Sequence, residues 1–133
     1  MWDWPNPCWR FADMSQPHET LIAWQRADDL CLAIYQLTKR FPQDERYALT
    51  SQIRRAAFSV AANIVEGYAF PRLSNRLRFL RISVASLAEL GYAIHFAKRV
   101  GYISQEEWQA LDLQIRQTAA PLQGLIKQQA SRG

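Results

Sequence analysis

Four successive stretches of this chain repeat apolar residues at alternating steps of three and four, the spacing that keeps side chains on one face of an α-helix. Ala23, Ala27, Leu30, Ile34, Leu37 and Phe41 form the first stripe, and Leu49, Ile53, Ala56 or Ala57, Val60 and Ile64 the second. The third stretch carries two stripes side by side: Leu77, Leu80, Val84, Leu87, Gly91 and Ile94, then Phe79, Ile82, Leu90, Ala93, Phe96 and Val100. Trp108, Leu111, Ile115, Thr118, Leu122 and Leu125 complete the pattern. Four one-sided rods must hide their stripes against one another, and links of a few residues force neighbours to run in opposite directions. The expected fold is all-α: an antiparallel up-down-up-down four-helix bundle over residues 18–130, with an arm at 1–17 and a tail at 131–133.

Local signals place the helices at about 19–40, 44–66, 74–100 and 104–127. Phe41 precedes Pro42, which disfavours helical backbone and closes the first helix. Asp44 is the expected N-cap of the second helix and Gly67 its left-handed C′ residue. Ser74 is the expected cap of the third. Ser104 with Glu107 makes a capping box, and Ile103 with Trp108 a hydrophobic staple, at the start of the fourth. Pro121 should kink that helix or end it early, leaving residues 128–133 to fray. Small residues at Ala56, Ala57, Ser59, Ala61 and Ala62 let a neighbouring backbone approach, so the second helix should be the most central. The doubled stripe of the third helix needs a wide core or another subunit to cover it. Trp24, Tyr35, Phe58, Tyr68, Phe70, Phe79, Tyr92 and Phe96 are the candidate contacts between copies.

A chain of 133 residues fits a single domain. Its two cysteines, Cys8 and Cys31, form neither a redox pair nor half of a zinc site, so both read as thiols in a reducing, cytoplasmic setting. Residues 1–17 carry Asp3, Pro5, Pro7, Arg10, Asp13 and Pro17 and do not read as a secretory signal. Arg81, Glu89, His95 and Lys98 interrupt the longest apolar helix, so no membrane span is expected. The arm places Trp2, Trp4, Trp9 and Phe11 among prolines, a composition suited to docking on its own bundle or on a neighbour. Met14 is a candidate alternative start.

Catalytic chemistry is not evident. Helical di-iron centres need Glu-x-x-His, which does not occur, and His18 and His95 read as surface or as hydrogen-bonded core residues. No nucleophile is set against a histidine, and no glycine-rich phosphate loop is present. The expectation is therefore a non-enzyme with no metal and no cofactor; the least favoured alternative is a nuclease using Glu66 and Glu89. Asn63 and Glu66 share one face of the second helix, and Ser83, Ser86 and Glu89 lie on the third. These five, with Arg54 or Arg55 adding positive charge, are expected to form a polar cluster that fixes register. Between Lys39 and Arg81 nine basic residues face three acidic ones, within a net charge of +4 for the whole chain. Arg54, Arg55, Arg72, Arg76, Arg78 and Arg81 are the candidate site for an anionic partner: RNA, DNA or an acidic protein.

The run from Ser51 to Gly67, followed by Arg78-Phe79-Leu80 and Ser86-Leu87-Ala88-Glu89-Leu90, resembles the bacterial four-helix bundle proteins of the 23S rRNA intervening-sequence family. Phe41-Pro42, Glu45-Arg46 and Gly101-Tyr102-Ile103 extend the likeness to about residues 20–127. Ala85 stands where that family usually has glycine, and Tyr68 to Pro71 replaces a more basic link. The resemblance implies a left-handed bundle that assembles as a homopentamer and has a non-catalytic role. It also implies a distant kinship with the accessory protein of diversity-generating retroelements, and hence RNA association by analogy.

Overall fold

The computed structural model describes residues 17–133. The helices are α1 (Ile22–Thr38), α2 (Leu49–Ala69), α3 (Leu73–Arg99) and α4 (Gln105–Ala130), with short 3-10 turns at Pro17–Thr20 and Gln43–Glu45. No strand occurs among the described residues. The Trp-rich segment before Pro17, with Cys8 and Met14, lies outside them. Each helix packs on two neighbours in the cyclic order α1, α2, α3, α4, and the diagonal pairs do not meet. Side-chain contacts show the alternating direction. Arg54 near the start of α2 reaches Thr38 at the end of α1, and Arg76 near the start of α3 reaches the Gly67 carbonyl near the end of α2. Arg76 near the start of α3 reaches Gln129 at the end of α4. Arg40 just after α1 pairs with Glu107 in the first turn of α4.

The sequence stripes become the core. Ala23, Ala27, Leu30, Ile34, Ile53, Val60, Ile64, Leu80, Leu87, Leu90, Ile94, Leu111 and Leu122 are all buried. Ala56 and Ala57 both go inside, while Leu37 is only partly covered and Thr38 takes the buried position beside it. Packing is most extensive between α2 and α3, as the small residues of α2 permit. Gly67 continues that close approach: a Cβ there would stand 3.3 Å from the Arg76 carbonyl oxygen and 3.4 Å from the Phe79 Cβ.

Several helix ends differ from the sequence reading. Gly67 is not a left-handed cap but lies inside α2, and Gly101 (φ 90°) is the glycine with positive φ among the described residues. Asp44 falls in the 3-10 turn, and Glu45 caps α2 instead, its Oε2 accepting from the Leu49 N–H at 3.1 Å. Ser74 sits within α3, which begins after extended Arg72 without a side-chain cap. The capping box of Ser104 and Glu107 forms as expected. Pro121 does not end α4, which runs on to Ala130. Proline cannot donate to the carbonyl one turn back, and the Arg26 Nη1 of α1 approaches that Gln117 oxygen at 3.5 Å. Gln129 is buried rather than frayed because its Oε1 accepts from Arg76 at 3.2 Å.

Candidate interaction surface

Polar side chains meet between α2 and α3, but they are not quite the expected set. The Ser59 and Ser86 hydroxyls lie 2.7 Å apart, and the Asn63 Nδ2 donates to the Ser59 Oγ at 2.9 Å and to its carbonyl oxygen at 2.8 Å. Ser83, fully buried, donates to the Val60 carbonyl at 2.6 Å. Hydroxyls bonded across two helices at matched levels hold one register, because a slip would strand each of them without a partner. Ser59 was missed in the sequence reading, although it stands one turn before Asn63 on the same face. Glu66 and Glu89 are exposed and take no part in these bonds. Among the described residues no group of three His, Cys, Asp or Glu side chains could hold a metal ion.

The six candidate arginines divide by what they touch. Arg54 donates from Nε to the Thr38 Oγ1 at 2.7 Å and from Nη2 to the Tyr35 carbonyl at 3.3 Å, and its guanidinium lies 4.7 Å from the Tyr35 ring centroid. It ties α2 to α1 and adds no charge to the serine cluster. Arg76 donates to the Gly67 carbonyl and to Gln129 while stacking 4.3 Å over Tyr68, so it fastens three helices at one end of the bundle. Arg55, Arg72, Arg78 and Arg81 are exposed. They make no hydrogen bond or ion pair among the described residues, although Arg78 lies over its neighbour Phe79.

The candidate aromatic contacts also separate. Tyr68 is buried in its own bundle, and burial pushes its phenol pKa up. Trp24 packs partly against the core, and Phe70 and Phe79 are half-buried. Tyr35 is the platform for Arg54. Phe58, Tyr92 and Phe96 are left at 61%, 68% and 43% exposure. They lie on one outer face of the α2/α3 pair. On α2 that face follows Ser51, Arg55, Phe58 and Ala62; on α3 it follows Ile82, Ala85, Glu89, Tyr92 and Phe96. A shallow groove of about 360 Å³ runs between Leu49, Gln52, Glu89, Tyr92, Ala93 and Phe96. The doubled stripe of α3 thus splits: Leu90 and Ala93 belong to the core, whereas Ile82, Phe96 and Val100 remain outside.

His18 is neither on the surface nor hydrogen-bonded at both nitrogens. Its ring is buried edge-on against Trp24 at 4.8 Å and its Nδ1 has no partner. Burial lowers its pKa, partly opposed by Glu19. His95 is exposed beside Tyr92. Cys31 is a half-buried free thiol whose pKa is raised by burial and by Asp28. Glu107 is held down to about 2 by its hydrogen bonds from Arg40 and the Ser104 backbone, as suits a capping-box carboxylate.

An up-down bundle with a hydroxyl-laced helix pair and an uncovered aromatic flank defines a class of small, all-helical bundle proteins. Residues 19–124 match the 23S rRNA-intervening sequence protein family, and the chain belongs to that family. A similar solved structure is a protein of unknown function from the S23 ribosomal protein family of Bacteroides thetaiotaomicron. It is 20% identical, with a TM-score of 0.74, over 80% of this chain and 96% of that one. At that identity the likeness concerns the fold. No curated protein matches the chain. No helix among the described residues is long and apolar enough to cross a membrane.

Proposed function

We propose that the protein is a non-catalytic scaffold that works as a homo-oligomer, with the outer face of α2 and α3 as its self-association surface. The observation that carries this reading is the exposure of Phe58, Tyr92 and Phe96, with Ile82 and two alanines, on one face. Exposed aromatic side chains gathered on one side of a protein mark interaction surfaces more often than singly scattered ones do. Arg55 on α2 and Glu89 on α3 lie within that face, and neither is paired among the described residues. An unpaired arginine and glutamate within a face of exposed aromatic rings suit a head-to-tail contact in which one copy's arginine meets the next copy's glutamate. Head-to-tail contacts close into rings, in keeping with the pentamer implied by the family resemblance. Light scattering at micromolar concentration should return about five times the 15.4 kDa chain mass; a particle of single-chain mass would overturn the proposal.

A second reading is supported by the exposed cations Arg72, Arg78 and Arg81, which are not engaged in ion pairs among the described residues. In a ring these charges repeat around the axis, so weak phosphate contacts add through multivalency. On this reading the assembly binds structured RNA with an affinity that falls as salt rises. Arg78→Ala with Arg81→Ala should lower the slope of log affinity against log salt by about 1 to 2. Arg76→Ala is unsuitable for this test because Arg76 fastens the bundle. Absence of binding at low salt would remove the reading.

A further inference from the structure

The 3-10 turn Pro17–Thr20, which leads into α1, is seated on the bundle through one side chain. His18 is buried, whereas Pro17 is half-buried and Glu19 and Thr20 are exposed. The turn packs on α1 and α2. Its hydrogen bonds among the described residues stay within the turn and the start of α1: the Leu21 N–H donates to the His18 carbonyl at 2.9 Å, and the Gln25 Nε2 donates to the Glu19 carbonyl at 2.9 Å. The seat on α2 therefore depends on packing of the His18 ring. That ring stands edge-on to Trp24 with centroids 4.8 Å apart, and its Nδ1 is buried without a partner. An imidazole placed in this way suits its neutral form. Protonation would put a charge out of water and turn Nδ1 into a donor with nothing to accept its hydrogen.

We propose that His18 is an acid-released latch: protonation of its ring lifts the turn Pro17–Thr20 off α2 and uncovers Trp24 while the four helices stay packed. The surrounding charges do little to shelter a cation. Glu19, its chain neighbour, is the acidic group that acts on the ring, and it is exposed. On α1 the ring meets Trp24, and the first charged side chain of that helix, Arg26, turns to the Gln117 carbonyl of α4. Asp28, further along α1, is exposed. The antiparallel α2 brings its last turns to the start of α1, where Glu66 is exposed and Tyr68 is a buried, uncharged phenol. Burial outweighs Glu19 and holds the His18 pKa below the ordinary 6.5. In a released turn the histidine regains its ordinary affinity for protons, so the released state gains protons first as pH falls. The seat is at full strength above 6.5 and weakens below it, the ratio of docked to released turn falling by up to about tenfold per pH unit between the two pKa values. The latch is independent of self-association through α2 and α3, since the turn does not pack on α3.

NMR of the full chain from about pH 8 to about pH 5, the range in which an ordinary histidine changes charge, tests the latch. The Trp24 indole N–H resonance, assigned with Trp24→Phe, should move to a water-exposed position with a midpoint below 6.5, and the His18 ring resonances should titrate at that same midpoint. Trp108, under Lys98 at 4.1 Å and at the other end of the bundle, should not move. His18→Phe, which keeps a ring but cannot take a proton, should hold Trp24 in its docked position across the range, and His95→Gln should leave the transition unchanged. A Trp24 signal constant down to about pH 5 would overturn the proposal, as would a transition that persists in His18→Phe. Trp108 moving together with Trp24 would also overturn it, by showing that acid unfolds the bundle rather than releasing the turn.

Discussion

Phe58→Glu combined with Tyr92→Glu is expected to convert the assembly to single chains of about 15.4 kDa while leaving the helical circular dichroism unchanged. In the isolated bundle these rings are 61% and 68% exposed, so carboxylates at the same positions stay in water and disturb no core packing. Surface changes of that kind typically shift stability by no more than about 0.5 kcal/mol. Between copies the same carboxylates would be taken out of water without partners, at a cost of several kcal/mol per charge, repeated at every contact of a ring. The contrast makes the measurement decisive: unchanged mass in a folded variant would place the subunit contact elsewhere. Arg55→Glu offers a milder companion, since it reverses one charge within the proposed contact and should weaken the assembly without dissolving it.

What the sequence disclosed was whatever depends on local period. The three-and-four spacing located all four helices because it follows from helical geometry alone, and the box of Ser104 and Glu107 was legible because both partners sit within one turn. What escaped was set by residues far apart in the chain. Gly67 looks like a helix stop, yet it is a spacer, and nothing local announces that the backbone of Arg76 will press against it. Pro121 looks like a break, yet α4 continues, with the carbonyl it leaves without a donor approached by Arg26 from 91 residues away. The polar cluster was placed between the correct helices, with Ser59 omitted and two glutamates included that do not belong to it. Shared helix faces identified Asn63, Ser83 and Ser86, whereas the two glutamates on the outward sides of those turns stay in water. Arg54 and Arg76 carried charge that looked available to a partner. Their bonds to Thr38 and Gln129 depend on how α1 and α4 lie against the α2/α3 pair, which no spacing rule within one helix reports.

Leu90→Ala should cost about 2–5 kcal/mol of unfolding free energy, the range for truncating a buried leucine whose cavity only partly collapses. Leu90 is fully buried, and it belongs to the doubled stripe of α3 of which Ile82, Phe96 and Val100 lie on the surface. The substitution therefore reports how that helix is rotated about its axis. Leu113→Ala removes the same atoms from a site 55% exposed and should cost less than about 0.5 kcal/mol. Since small domains hold only about 5–15 kcal/mol in total, the first variant loses a large share of its stability and melts roughly 10 °C or more below the parent, while the second is almost indistinguishable from it. Urea titrations at one fixed protein concentration keep any contribution of self-association constant across the comparison. Equal losses for the two leucines would mean that α3 or α4 presents a different face to the core, and with it would fall the assignment of Phe58, Tyr92 and Phe96 to an open flank.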